Sequence, residues 1–562
     1  RFREFENIDK INLNFVYKEN NLKLENISLK IDQIKLNSKF ILIKKIKSNY
    51  YIEGTFENNK TNISSKILNL IKINDDLYNK KEIQFKNFSK FSFKINKKFK
   101  IKDLSLQSNL QLYNLKYKGN KKNFKKYFSD YKENIKFEKI NINLKYDKKI
   151  FKIDGIADYN LNNNIDKIEF NVKKYKEVYD FNVNLGLNKN KLILDEINYL
   201  KSKNKKANLK IKGKFRKDKY LTLAEIIYSE NKNKIILQDL RLNSKFKIIT
   251  VKKIIFKYLT VNNIFNELSI IYKKPNYTVK GNRYDALKLI KEITDTDKKS
   301  NFFNLFHEVN SKITLDLKEV YLDKQNIAKN FKGSLKVKKN EIIDLNLSSN
   351  YSKNEKFFIT IKLLDNNKKV TTLYSDRASP FVKNFKFIKG FEKGALDYNS
   401  LKNKGVSETQ IRLYDFKIKE VPILAKLLTL ASLQGIADLL TGEGIRFNEF
   451  EMNYTTKDKL ITIEEIYSIG PYISILMEGY VQSKDLISLR GTLVPATTLN
   501  KAIGYIPLFG NILVGNKTGE GVFGVSFKIK GPPKNLKTTV NPIKTLTPRF
   551  ITRTLEKIKK KN

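Results

Sequence analysis

The stretch Ile140-Asn-Ile-Asn-Leu-Lys-Tyr-Asp-Lys-Lys-Ile-Phe-Lys-Ile-Asp154 alternates apolar and polar residues on both sides of a short polar turn. Ile140, Ile142, Leu144 and Tyr146 share one face of an extended chain; beyond Asp147-Lys148-Lys149 the alternation resumes at Phe151 and Ile153. A period of two is the side-chain repeat of a β-strand, and two such runs joined by a short polar turn predict an antiparallel pair. The same signal runs from residue 10 to about residue 375. It includes Ile11, Leu13, Phe15 and Tyr17, then Ile313, Leu315 and Leu317, then Phe357, Ile359 and Ile361. One greasy face per strand has to be covered. Several separate sandwiches, a closed barrel or a curled open sheet would each cover it.

Helical signals before residue 400 are few; Asn263 to Ile271, Tyr284 to Thr294 and Asn301 to Val309 are the clearest. A sheet that outruns its helices favours a mainly β fold: an elongated, curled antiparallel sheet with an apolar groove, and a few short amphipathic helices in the C-terminal third. Ile11, Leu13, Phe15, Ile140, Ile142, Leu144, Ile313, Leu315, Leu317, Phe357, Ile359 and Ile361 are then candidates to line that groove.

Composition shifts near residue 390, where 16 of the 23 Gly and 8 of the 10 Pro lie after Lys389. These residues set backbone geometry that others cannot. The expected organisation is a repetitive β region over 1–389 and a distinct region over 390–562. In the latter, Val421 to Leu440 reads as apolar helix, but Lys426, Gln434 and Asp438 interrupt it. A charge at the centre of a spanning helix costs about 2.5–3.5 kcal/mol, so two short buried or interfacial helices fit better than a membrane span. Ile423, Leu424, Leu427 and Leu428 on this segment, with the apolar knuckle Ile506, Pro507, Leu508 and Phe509, are candidates for docking to a membrane or partner.

Four elements of this region resemble, in the same order, the C-terminal part of AsmA-like proteins, particularly the YhdP-type branch. They are Ser432-Leu433-Gln434-Gly435 with Leu440-Thr441-Gly442-Glu443-Gly444-Ile445; Leu489-Arg490-Gly491-Thr492-Leu493-Val494-Pro495; Asn500 with Ile506-Pro507-Leu508-Phe509-Gly510; and Val540-Asn541-Pro542. The likeness covers about residues 411–555. It departs at Thr547-Pro548-Arg549-Phe550, where the family has glycine after the proline. The resemblance implies a repeated β-groove protein of the periplasm that conducts phospholipid between inner and outer membranes of a Gram-negative cell. It also implies an inner-membrane anchor upstream of Arg1, a C-terminus toward the outer membrane, and no cofactor or catalytic group. An outer-membrane assembly or envelope structural factor that binds clients along its sheet edges is the alternative.

The formal charge is +52, from 110 Lys+Arg against 58 Asp+Glu, which raises nucleic-acid binding. The lysines alternate with apolar residues instead of clustering, and Lys, Asn, Ile, Phe and Tyr are together inflated as in an AT-biased genome, so no nucleic-acid partner is expected. Cysteine is absent and His307 is the only histidine, so the usual zinc sites and His-based triads cannot be assembled. His307 is expected on a helix surface, and the carboxylate pairs Asp295/Asp297 and Glu464/Glu465 are expected to be solvated. Gly510 to Thr518 imitates a phosphate loop, but Asn516 breaks its spacing. The Lys557-to-Lys561 end is expected to be a solvated tail.

Overall fold

The computed structural model describes residues 8–31, 34–63, 82–118, 121–129, 131, 134–147, 149–161, 163–216, 221–288, 306–364, 368–382, 389–420, 444–471, 473–482, 485–495, 524–533 and 535–543. Among them are 32 strands and two short α-helices, Lys121–Tyr127 and Ser379–Val382. The protein is mainly β, as the alternation predicts. The chain divides into two compact units, one of 1–273 with 301–307, the other of 274–300 with 308–562. The compositional shift near residue 390 falls inside the second.

In the first unit the strands Ile8–Lys18, Asn21–Ile31, Ile34–Ile46, Asn49–Asn62, Gln84–Asn96 and Ile101–Tyr113 pair in sequence order, all antiparallel. Ile135–Asp147 pairs next with Ile101–Tyr113. Then come Ile150–Leu161, Asn164–Tyr175, Val178–Gly186, Asn208–Arg216, Leu221–Glu230, Asn233–Leu242, Ile248–Leu259 and Phe265–Lys273, each antiparallel to the one before. The pair quoted at the outset is a hairpin with Leu144 opposite Ile153 and Tyr146 opposite Phe151. Left-handed residues interrupt several strands: Asn26, Asp103, Lys139 and Asp239 have φ of 54°, 52°, 48° and 50°. Such bulges bend a strand and increase its local twist, and Asn and Asp tolerate that conformation better than most residues.

The second unit opens with Asn276–Asp285 running parallel to Ser311–Tyr321. From Ser311–Tyr321 onward the strands Ile327–Lys338, Glu341–Asn350, Lys356–Leu363, Lys369–Ser375, Lys389–Asn403 and Val406–Glu420 follow as antiparallel neighbours. Ile445–Lys457, Leu460–Ile469, Ile473–Gln482, Leu486–Pro495, Gly524–Gly531 and Lys537–Ile543 continue the series.

The helix expected over Asn263 to Ile271 is instead the strand Phe265–Lys273. Ile264, Leu268 and Ile271 have helical spacing, but Asn266 faces inward and its amide donates to the Tyr258 hydroxyl at 2.9 Å. That inward polar residue hid the strand period. Tyr284 belongs to the strand Asn276–Asp285, and most of the remaining stretch to Thr294 lies outside the described residues, as do 301–305. His307 is in no described helix; it is exposed, and its backbone N–H donates to Ile248 O at 2.8 Å. The expected C-terminal helices fall on 421–443, 496–523 and 544–562, outside the described residues.

Candidate functional site: an apolar lane on each unit

Residues opposite one another in paired strands share a face, so the registers trace rows across each sheet. In the first unit one row runs Ile142–Gly155–Phe170–Val183–Ile211 and on through Ile226–Leu237–Ile254–Ile270. At a strand spacing of about 4.8 Å these nine positions extend roughly 38 Å along the hydrogen-bonding direction. All nine are half-buried. A packed core would bury them fully, and a solvated face would not be apolar throughout.

Burial is graded on either side of this lane. Toward one edge, Ala157, Tyr159, Leu161 and Ile140 are buried. There the segment from Leu187 to Ala207 folds over the sheet, bringing Leu187, Leu192, Tyr199 and Ala207 against Tyr228, Ile235 and Tyr258. Tyr127 and Phe128, at the end of Lys121–Tyr127, join this cluster. Hydrogen bonds fix the cover in place. Tyr199 Oη lies 2.8 Å from Tyr228 Oη and donates to the buried Glu230 carboxylate. Lys201, fully buried, donates to the carbonyls of Asn190 and Ser202 at 2.7 and 3.0 Å, and burial pulls its ammonium below the ordinary lysine range. Asp166 accepts the backbone N–H groups of Asn188 and Lys189, both at 2.9 Å. Burial, followed by the hydrogen bond to Glu230, drives the Tyr199 phenol far up; it stays protonated and remains a donor.

In the second unit the corresponding row runs Val279–Leu315–Gly333–Leu347–Ile359–Leu373–Tyr398. It continues through Ile411–Met452–Ile466–Met477–Gly491–Phe527–Val540. Leu347, Leu373, Ile466 and Phe527 are buried, and the other members are half-buried. A cavity of about 520 Å³ opens where Met477, Gly491, Phe527 and Val540 meet the ion pair of Arg490 with Glu478, 2.7 Å apart.

Glycines in these rows have a steric role. A Cβ on Gly155 would sit 2.2 Å from Phe170 Cζ, and one on Gly491 would sit 2.7 Å from Met477 Cγ and 2.9 Å from Phe527 Cζ. The facing rings therefore lie down across the glycines instead of standing up from the sheet, the arrangement by which aromatics cover strand glycines.

The twelve groove candidates divide three ways. Ile142 lies in the first lane and Leu315 and Ile359 in the second, while Leu144, Ile313 and Ile361 are half-buried beside them. Ile140, Leu317 and Phe357 are buried. Ile11, Leu13 and Phe15 stand exposed on the strand Ile8–Lys18, Phe15 at 68%. Of the motif residues, Gly444 has a left-handed φ of 80° and its Cβ would lie 2.6 Å from Ile418 O, so glycine is required there. Pro495 is in register with Ile473, Asn541 with Ser526 and Pro542 with Val525. Ile423, Leu424, Leu427, Leu428, Gly435, Gly442, Asn500, Ile506, Pro507, Leu508, Phe509 and Gly510 lie outside the described residues, as do Asp295 and Asp297.

Glu464 is exposed and accepts from Thr455 Oγ1 at 2.6 Å. Glu465, expected to be solvated like its neighbour, is buried, paired with Asn453 on the face opposite the Met452–Ile466 lane. Sequence reasoning missed Phe170, Val183, Ile211, Ile226, Leu237, Ile254 and Ile270; the first three lie in alternating runs, whereas each of the other four stands beside a second apolar residue that blurs the period. The available signal was a mid-strand glycine such as Gly155 one hairpin from a phenylalanine. Among the described residues no cluster of His, Asp and Glu could hold a metal ion, and no helix is long and apolar enough to cross a membrane. No family model matches the sequence, and no curated protein matches it.

Proposed function

We propose that the lanes hold acyl chains of phospholipid and that the protein conveys such lipid between two membranes without catalysing a reaction. The supporting observation is the apolar row in each unit, half-buried at all nine positions from Ile142 to Ile270 and half-buried at ten of fourteen from Val279 to Val540, where Leu347, Leu373, Ile466 and Phe527 are buried. A surface of this kind leaves hydrocarbon incompletely covered, and an acyl chain laid on it gains about 0.8 kcal/mol per buried methylene. No charged group need be desolvated, since the lane positions are all apolar or glycine. The resemblance of the C-terminal motifs to AsmA-like proteins points the same way: a periplasmic protein anchored in the inner membrane, with phospholipid and both envelope membranes as partners.

The test is substitution within the lane. Val183 and Ile211 face each other across neighbouring strands, so V183D/I211D places two carboxylates where tails would lie. Mass spectrometry of protein purified in mild conditions should find phospholipid in the native chain and a loss of most of it in the variant, with circular dichroism unchanged. Native protein free of lipid, or an equal load in a folded variant, would defeat the proposal.

A further inference from the structure

Successive hairpins of the first unit send alternate turns to two opposite edges of its sheet. One edge carries the turns after Lys18, Ile46, Asn96, Asp147, Tyr175, Arg216 and Leu242. Exposed aromatic residues gather there. Phe15, Tyr17, Tyr50, Phe99, Tyr175, Phe215 and Phe246 all lie within four residues of those turns. Among the described residues, the remaining exposed aromatic of this unit, Phe40, is mid-strand, and the opposite edge has none.

Two of these turns are built alike. Asn96-Lys-Lys-Phe-Lys100 and Asn243-Ser-Lys-Phe-Lys247 each use the asparagine Oδ1 to accept two backbone N–H groups, of Lys98 and Lys100 at 3.1 and 2.9 Å and of Lys245 and Lys247 at 3.0 and 2.9 Å. Each then holds its phenylalanine in the left-handed region, φ 54° and 57°, with 83% and 74% of the residue exposed. A bulky aromatic in that conformation is a costly exception, and here it presents a bare ring between lysines twice on one edge.

The burial gradient runs toward the same edge. On the strands from Ile135–Asp147 to Val178–Gly186, Ile140, Ala157 and Tyr159 are buried on the covered side, whereas Leu144, Ile153, Val172 and Phe181 are half-buried on the other. Beyond them, at the turns, stand the exposed Lys149 and Lys176, with the exposed Tyr175 on the opposite face of the sheet. From Ile142 to the turn at Lys149 is about 23 Å of extended chain, enough to span the roughly 15 Å of hydrocarbon in one bilayer leaflet. Rings interleaved with lysines mark the level at which an amphiphile passes from tail to head.

We infer that phospholipid held by the first unit lies across the sheet with its tails in the Ile142–Ile270 lane and its phosphate at the lysine- and aromatic-bearing edge. This rests on the lipid reading above and adds an orientation and a headgroup contact. The ligand feature recognised is a phosphate monoanion joined to hydrocarbon. Lysines supply the charge and the exposed rings the boundary contact.

The test uses the full chain and two fluorescent probes that share their tails, phosphatidylglycerol and uncharged diacylglycerol. K98E/K149E/K176E should weaken capture of phosphatidylglycerol about tenfold and leave diacylglycerol within about twofold. K205E/K206E, exposed lysines on the covered side, should change neither. Equal loss with the two sets of variants, or no loss with the first, overturns the orientation. Tight binding of inorganic phosphate alone, abolished by K98E/K149E/K176E, overturns it in favour of a free-anion site. Flotation with intact phosphatidylglycerol vesicles that persists in V183D/I211D overturns it in favour of a bilayer-docking edge. Failure of native protein to capture either probe defeats the lipid reading itself, and the orientation with it.

Discussion

Gly155→Ala is a one-carbon perturbation with a computable consequence. The added Cβ would sit 2.2, 2.6 and 2.7 Å from Phe170 Cζ, Cε1 and Cε2, so it meets the whole outer edge of the ring and a small tilt cannot relieve it. Phe170 must swing up from the sheet. Overpacking of this kind costs about 1–3 kcal/mol, and the lower backbone entropy of alanine in a strand returns about 0.5–1 kcal/mol. A net loss of about 1–2 kcal/mol is expected, together with a ring standing in the lane. Phe170→Ala removes the clash, so the double variant should be more stable than the sum of the single effects by about 1–2 kcal/mol. Denaturant unfolding supplies the energies. Hydrogen exchange over residues 150–175 localises them, since two units need not unfold as one. Gly155→Ala with native stability, or no coupling to Phe170→Ala, would refute the account of rings laid across glycines.

Gly333→Ala should destabilise the second unit by about 2–4 kcal/mol, because its Cβ would lie 2.0 Å from the backbone oxygen of Asn346 at a φ of 151°; the unit's melting transition reads this. Tyr199→Phe removes the bonds to Tyr228 and Glu230 beneath the cover and leaves a buried acceptor short of a donor. A cost of about 1–3 kcal/mol follows, seen as faster hydrogen exchange over Leu187 to Ala207. The Arg377 guanidinium donates to Glu355 at 2.6 and 3.1 Å and holds its carboxyl below the usual glutamate range. A depressed folded value means that this pair stabilises above the unfolded value near 4.5 and that its contribution fades as pH falls through the folded value. Glu355→Gln should flatten the stability profile of the second unit in that acid window, and an unchanged profile would count against the pairing.

The strands were legible because lysine and asparagine mark the solvated face so regularly that the period of two survives in runs such as Ile140 to Ile153. What alternation could not give was the depth of each apolar position. Ile140 and Ile142 look equivalent in sequence, yet one is buried and the other half-open. Depth is set by cover from segments distant in the chain, as where Leu187 to Ala207 folds back over Tyr228, Ile235 and Tyr258. Ile11, Leu13 and Phe15 show the converse, sharing the pattern but not the cover. Phe265–Lys273 was misread because Asn266 faces inward, where its pairing with Tyr258 makes a polar residue acceptable. Glu465 was misread because its own face is covered there, with Glu451 and Tyr467 buried on the same side. Cover segments and inward hydrogen bonds are tertiary events, and a periodicity of apolar residues does not encode them.

The neighbour-to-neighbour order of the strands bears on how such a chain can change in size. Apart from the parallel joining of Asn276–Asp285 with Ser311–Tyr321, nearly every described pairing links segments that also adjoin in sequence. Duplicating or deleting one hairpin therefore alters the span of a unit by about 9.5 Å and leaves the remaining ladders in register. Genes for chains built this way can lengthen or shorten a unit by whole-hairpin steps, and a nascent chain can add each finished strand to the last as it leaves the ribosome.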